Sequence, residues 1–121
     1  MPRILIVDDD RDIRETLKEL VEQEGFAAIC AENGEDALAE LRNGGVLPCV
    51  ILLDLTMPVM DGFAFRAAQL ADPALAAVPV VVMTADGNLE DKRKRIGAEY
   101  ALKKPMEVDE LLGVLGVYAR V

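Results

Sequence analysis

Cys49-Val-Ile-Leu-Leu-Asp54 contains the most apolar of several short runs in the chain, and this run indicates the class of fold. The run has the length of a strand and no alternation between polar and apolar positions. Such a run is typical of a strand buried on both faces, as strands are in parallel sheets. The stretch therefore predicts the centre of a parallel sheet, with an acidic side chain where the strand ends.

Working outward from this strand, four more short apolar runs alternate with amphipathic segments. The predicted strands are Arg3–Val7, Phe26–Cys30, Cys49–Leu53, Val78–Met83 and Tyr100–Leu102. Apolar residues between them recur at helical spacing, as at Ile13, Leu17 and Val21. This alternation predicts an α/β fold of five βα units, with one five-stranded parallel sheet covered by helices on both faces. The hydrophobic pattern alone leaves the order of the strands open.

Length, charge and composition narrow the classes of function. We expect residues 1–121 to form a single domain, since that length suits one hydrophobic core. A net charge of -9 disfavours direct binding to nucleic acid or to anionic membranes, and the lack of histidine excludes histidine-based catalysis. The sequence has neither a signal peptide nor an apolar run long enough to span a membrane, so we expect a cytoplasmic protein. Its two cysteines, Cys30 and Cys49, are expected to be small buried residues.

Polar side chains stand directly after four of the five predicted strands. In a parallel sheet these positions meet at the carboxyl edge, where functional groups collect. The side chains are Asp8 and Asp9 after the first strand, Asp54 after the third, Thr84 after the fourth, and Lys103 and Lys104 after the fifth. Three carboxylates at one edge repel one another unless a cation neutralises them, and oxygen ligands suit Mg²⁺, with Mn²⁺ as an alternative. Taken singly, each residue could be a helix cap, a turn residue or a solvated charge, but a chance arrangement of all of them is hard to accept.

Four ordered motifs resemble those of response regulator receiver domains, which work in two-component signalling and phosphorelays. They are Ile4–Asp10, Asp54–Gly62, Met83–Ala85 and Lys104–Pro105, and the similarity covers essentially the whole chain. The resemblance is to the single-domain, chemotaxis type of receiver. It implies a flavodoxin-like doubly wound sheet with the strand order 2-1-3-4-5 and a cis peptide bond before Pro105.

The same resemblance assigns a role to each matching position. Asp54 is similar to the phosphoacceptor, Thr84 to the switch hydroxyl and Lys104 to the lysine that contacts the phosphoryl group. Asp8, Asp9, Asp54 and the backbone carbonyl of Thr56 would hold Mg²⁺, with Asp8 bound directly or through water. These assignments imply a phosphorylated signalling domain that catalyses only its own phosphorylation and dephosphorylation.

The partners implied are a histidine kinase or histidine phosphotransfer protein, which donates the phosphoryl group, and a downstream protein target. By family analogy, Arg14, Glu15 and Lys18 on the first helix would contact the kinase. Phosphorylation would switch the face made by the fourth helix, fifth strand and fifth helix between two arrangements. An aspartate-nucleophile phosphatase or phosphotransferase is the alternative, although such enzymes need a second acid where Thr56 stands. A receiver that binds partners without being phosphorylated is a third reading.

One position departs from the family pattern. Receivers usually carry an aromatic residue three positions before the lysine, and this chain has Ala101 there. Tyr100 precedes it, but adjacent strand residues point to opposite faces of a sheet. Either a local bulge brings Tyr100 onto the required face, or the switch works without the aromatic side chain.

Overall fold

The computed structural model describes residues 2–43 and 45–118, in which strands and helices alternate five times. The elements are β1 Arg3–Val7, α1 Arg11–Gln23, β2 Ala27–Ala31, α2 Gly34–Asn43, β3 Val50–Asp54, α3 Gly62–Ala71, β4 Val80–Thr84, α4 Leu89–Ile96, β5 Tyr100–Lys103 and α5 Val108–Tyr118. All strand pairs are parallel, and the sheet order is β2-β1-β3-β4-β5. The structure thus confirms the α/β fold, the five βα units and the strand order implied by the family resemblance.

The sheet separates two layers of helices. Alternate strand residues pack on α2, α3 and α4 through side chains such as Leu38, Phe65 and Ile96. The intervening strand residues pack on α1 and α5 through side chains such as Leu17 and Leu111. Every residue of β3 and β4 is buried, as expected for strands covered on both faces.

Three helices start at side chains that cap them. Asp10 accepts hydrogen bonds from the backbone N–H groups of α1, Asp61 does so for α3, and the Asn33 side chain accepts one from Asp36 in α2. Such caps satisfy backbone donors that lack partners in the first turn. In the loop after β1, the capping role therefore belongs to Asp10 and leaves Asp8 and Asp9 available for other contacts. None of the helices in the described residues is long and apolar enough to cross a membrane.

The predicted bounds of four strands are wrong by one or two residues. Each of these strands ends one residue later than predicted, at Ala31, Asp54, Thr84 and Lys103. The apolar pattern stops at the first polar side chain, but the backbone ladder does not: Asp54 pairs with Met83, and Thr84 with Lys103. The side chains expected just after β3 and β4 therefore lie on the last residues of those strands.

The cysteines are less buried than predicted. Cys30 and Cys49 are free thiols of intermediate exposure. Cys30 lies in β2, which is an edge strand, and Cys49 comes just before β3 begins. Partial burial raises the pKa of both thiols, so neither is a reactive thiolate.

Candidate functional site

Three carboxylates converge at the carboxyl edge of the sheet, where the neighbouring strands β1 and β3 end. One oxygen each from Asp8, Asp9 and Asp54 lies within 4.8 Å of the others. Asp8 is fully buried, Asp54 is only 5% exposed, and Asp9 faces solvent. A set of hard oxygen donors open to water on one side is what a divalent cation such as Mg²⁺ requires.

Lys104 reaches this cluster from the far side of β4. Its Nζ atom lies 2.6 Å from Asp8 Oδ2 and 3.3 Å from Asp54 Oδ1. Its backbone N–H donates a 2.8 Å hydrogen bond to the carbonyl oxygen of Thr84, which fixes the loop after β5 against the end of β4. The peptide bond between Lys104 and Pro105 is cis, as the family resemblance implied. The lysine is therefore an internal counterion for two of the three carboxylates.

The environment shifts the pKa values of both partners. Burial, and then the charge of Asp8, raise the pKa of Asp54 to about 6, although Lys104 partly offsets them. Burial opposes the charged form of Lys104, but its hydrogen bond to Asp8 and the charges of Asp8 and Asp54 outweigh burial and raise its pKa. At neutral pH, the site therefore contains an ionised but electrostatically costly Asp54 beside a charged lysine.

Thr84 is the last residue of β4, and Thr56 follows the end of β3 by two residues. Thr84 is buried, and its Oγ1 accepts a 3.2 Å hydrogen bond from the Asp86 backbone N–H. Asp86 in turn pairs with Lys92 of α4 at 2.8 Å. The Thr56 N–H donates to Asp54 Oδ1 at 3.4 Å, while the metal-binding role of its carbonyl stays a prediction.

The proposal of a bulge at Tyr100 is wrong. β5 pairs with β4 in unbroken register, with Tyr100 opposite Val81 and Ala101 opposite Val82. Tyr100 consequently packs with the α1 and α5 layer, where its ring contacts Tyr118 at a centroid distance of 6.5 Å. Ala101 occupies the face shared with α4, so no aromatic side chain of β5 stands there.

Sequence reasoning missed Gly62 as a residue that shapes the site. A Cβ atom at Gly62 would lie 2.7 Å from the carbonyl oxygen of Asp54 and 2.9 Å from Leu55 Cα. Only glycine lets α3 begin this close to the end of β3. The signal was available in the sequence, because an Asp-Gly pair often marks the place where a loop enters a helix.

Sequence reasoning also missed two buried polar residues of α3, Arg66 and Gln69. The Arg66 guanidinium donates to Gln69 Oε1 and to the carbonyl oxygens of Ile96 and Gly97. Gln69 donates to carbonyl oxygens in the turn that leads into β4. The sequence does not signal the contacts of Arg66 with α4, because their acceptors are backbone carbonyls about thirty residues further along the chain.

Comparisons with known proteins agree with this geometry. Residues 4–115 match the family model described as the response regulator receiver domain. The chain is 37% identical to Protein PilH of Pseudomonas aeruginosa, covering 93% of both chains, and 32% identical to Protein PilG of that organism, covering 93% of this chain and 84% of PilG. The chemotaxis response regulator CheY4 of Vibrio cholerae superposes with a TM-score of 0.88 at 31% identity, covering 98% of each chain. The matched region contains all of the site residues described above.

Proposed function

The chain belongs to the response regulator receiver family, and from that premise we propose that it is a Mg²⁺-dependent phosphoacceptor whose Asp54 takes a phosphoryl group from phosphohistidine. The observation that carries the proposal is the position of Lys104 Nζ, within 3.3 Å of both Asp8 and Asp54. A lysine fixed over a nearly buried carboxylate can neutralise the charge of a phosphoryl group on that carboxylate. We propose that residues 1–121 act as one such domain.

The donor set fits a magnesium ion. Asp8, Asp9, Asp54 and the Thr56 carbonyl would hold it, and all four groups offer oxygen, the ligand that Mg²⁺ and Mn²⁺ favour. When bound, the ion would supply positive charge to the phosphoryl oxygens. Lys104 neutralises part of the negative charge of the same cluster.

The transfer itself needs an ionised Asp54. Since its pKa is about 6, the carboxylate is mostly ionised and nucleophilic at neutral pH. An Asp54 oxygen forms a bond to phosphorus while the bond from phosphorus to the donor's imidazole nitrogen breaks, and that nitrogen keeps the electron pair. Lys104 holds the phosphoryl oxygens. Later attack by water on phosphorus returns the carboxylate and releases inorganic phosphate, so the chain acts on itself rather than on a separate substrate.

The phosphoryl donor is proposed to be a histidine kinase or a histidine phosphotransfer protein. An apolar groove of about 300 Å³ runs between α1 and α5 and ends at Lys104, with Ile13, Leu20 and Met106 in its lining. A donor helix seated there would bring its phosphohistidine to the site edge. Arg14, Glu15 and Lys18 lie on α1 and would contribute to the choice of donor. The two free thiols are compatible with the reducing cytoplasm in which we propose this exchange occurs.

The acceptor assignment is tested by phosphorylation with a small donor. Incubation with acetyl phosphate and Mg²⁺ should add the mass of one phosphoryl group to the wild type, and EDTA should prevent the gain. Asp54→Ala should abolish it. Asp61→Asn is the matched control, since it removes a nearby carboxylate, in the loop after β3, that caps α3. A phosphoryl group that persists in Asp54→Ala would refute the assignment.

The same preparation tests the alternative of an aspartate-nucleophile phosphatase. Such an enzyme needs an acid two residues after the nucleophile, and exposed Thr56 stands there. We therefore expect no multiple-turnover hydrolysis of p-nitrophenyl phosphate. Sustained turnover that is lost in Asp54→Ala would favour the enzyme.

A further inference from the structure

Arg66 is a buried cation held by carbonyl oxygens. It is 6% exposed and Gln69 is fully buried, and both lie on the inner side of α3. Within the described residues Arg66 forms no ion pair with a carboxylate. Burial lowers the pKa of its guanidinium, which reflects the cost of placing a charge there. A residue this costly to bury must hold its acceptors firmly, because any acceptor that moved away would leave a buried donor unpaired.

Two of the carbonyl groups that accept hydrogen bonds from Arg66 lie at the C-terminal end of α4. Its Nε atom donates to the Ile96 carbonyl at 3.2 Å and its Nη2 atom to the Gly97 carbonyl at 2.6 Å. These are carbonyls that a helix end leaves without backbone partners and that carry partial negative charge. Gly97 adopts a left-handed conformation with φ of 73°, and its N–H and that of Ala98 donate back to Arg93. This end of α4 is therefore fixed from inside the helix and from α3.

The N-terminal end of α4 is held much more loosely. Asn88 precedes the helix in a left-handed conformation, and its side chain makes no capping hydrogen bond. Residues 85–88 are all exposed. One side-chain contact at this end is the ion pair between exposed Asp86 and half-buried Lys92. Because Asp86 is open to water, the pair is screened and contributes little stability. Asp86 is also the residue whose N–H donates to Thr84 Oγ1, so this end is linked directly to the site.

We infer that Arg66 is a positioning residue that holds the C-terminal end of α4 in place, so that switching moves the N-terminal end of α4 and leaves the C-terminal end fixed. The inference rests on the proposed phosphorylation of Asp54. When the Thr84 side chain rotates so that its hydroxyl donates to the phosphoryl group, Oγ1 moves away from the Asp86 N–H. That N–H then loses its acceptor, and the first turn of α4 is released. Because Ala101 leaves the α4 face of β5 without an aromatic side chain, this loop is the route from Thr84 to α4.

The inference is tested by NMR on the full chain with and without beryllofluoride and Mg²⁺, which mimic the phosphoryl group. In the wild type, we expect beryllofluoride to change the amide chemical shifts of residues 84–92. The hydrogen-exchange rates of the Gly97 and Ala98 amides should stay slow and within about twofold of their values without beryllofluoride. Chemical-shift changes at Gly97 and Ala98 as large as those in the first turn of α4 would overturn the inference. This comparison needs no variant, so it holds even if substitutions at Arg66 prevent folding.

Arg66→Met supplies the second measurement, since it keeps an apolar stem and removes the donors. We expect exchange at Gly97 and Ala98 to rise by about tenfold or more without beryllofluoride, and the shifts caused by beryllofluoride to spread through the last turn of α4. Arg66→Lys should fall between. Arg42→Met is the matched control, because it removes an exposed arginine that pairs with Asp72 on the protein surface. Exchange in Arg66→Met within about twofold of wild type would overturn the role of Arg66.

Labelling by acetyl phosphate separates the two proposals. Arg66→Met keeps every site carboxylate and should still gain a phosphoryl group. Normal labelling with a uniform response along α4 would defeat only this inference. Loss of labelling in the wild type, with no beryllofluoride response anywhere, would defeat the proposed function and this inference with it.

Discussion

The ionised carboxylate of Asp54 lowers the free energy of unfolding, because burial and the charge of Asp8 oppose its negative charge. Its pKa is about 6 in the folded protein and about 3.9 in an unfolded chain, so the folded state binds the proton more tightly. The stabilisation from this proton is fully present below about pH 4 and is lost as the pH rises through about 6. Above that range, the ionised carboxylate destabilises the fold by up to about 3 kcal/mol.

Asp54→Asn should therefore stabilise the protein at pH 8 by about 1–3 kcal/mol, with the gain shrinking towards zero near pH 4. Lys104 keeps its shorter contact with Asp8 in the variant. Urea unfolding in EDTA at several pH values measures the effect, with Asp36→Asn as an exposed control. A gain of equal size at pH 4 and pH 8 would show that ionisation of Asp54 is not its cause.

Val59 is a second costly residue close to the site. Its φ of 67° lies in the left-handed region, which β-branched residues rarely adopt, and the Met60 N–H donates to the Pro58 carbonyl across it. Its side chain is 76% exposed and so gains little from packing. Val59→Gly should raise the free energy of unfolding by about 1 kcal/mol, because glycine adopts this conformation without strain. Thermal unfolding measures it, and a loss of about 1 kcal/mol would contradict the strain argument.

Two helical glycines give a matched test at the scale of the element. At Gly62, a Cβ atom would collide with the backbone of Asp54 and Leu55, whereas at Gly113 in α5 nothing lies within 4 Å. Alanine has the higher helix propensity at both positions, by about 1 kcal/mol. We expect Gly113→Ala to stabilise by up to about 1 kcal/mol, and Gly62→Ala to destabilise by more than about 1 kcal/mol and slow labelling by acetyl phosphate.

Urea unfolding of both alanine variants, alongside the wild type, makes the comparison. The two substitutions are chemically identical, so their difference isolates the contact between α3 and the end of β3. Equal stabilisation by both would mean that α3 shifts freely and that Gly62 does not set the position of the site.

The elements also show where sequence reasoning succeeds and fails. The apolar runs of β3 and β4 predict buried central strands because their signal is local, and every residue of both strands is buried. Arg66 and Gln69 stand three residues apart in α3, a spacing that would normally indicate a solvated face. Their burial depends on hydrogen bonds to the carbonyls of Ile96, Gly97, Leu75 and Val78. Every residue has a backbone carbonyl, so residue types do not indicate which ones will accept these bonds.

At the scale of the whole molecule, the convergence of Asp8, Asp9, Asp54 and Lys104 could be predicted once a parallel sheet was inferred. The topology brings all strand ends to one edge, so chain distance does not matter. The direct contact of Lys104 with both carboxylates could not be predicted in the same way, because it depends on how the loop after β5 folds back towards β4.

From the proposed cation site at this convergence we expect global stability to depend on divalent cations. Mg²⁺ should raise the unfolding midpoint, since an ion bound only by the folded state stabilises it by about 1.4 kcal/mol at ten times its dissociation constant. Asp9→Asn should remove most of this gain because it deletes one ligand of the cluster. Differential scanning fluorimetry with NaCl at matched ionic strength is the measurement, and Asp36→Asn should respond as the wild type does. An equal response in Asp9→Asn would place the ion elsewhere.

The position of α5 bears on how the signal is passed from donor to target. The proposed donor groove is lined partly by α5, and the face proposed to contact the target also includes α5. A donor seated in the groove would therefore cover part of the surface that the target needs, so the two proteins would bind one copy in turn. The phosphorylated chain would then have to travel between them, and the lifetime of its acyl phosphate would set the duration of the response.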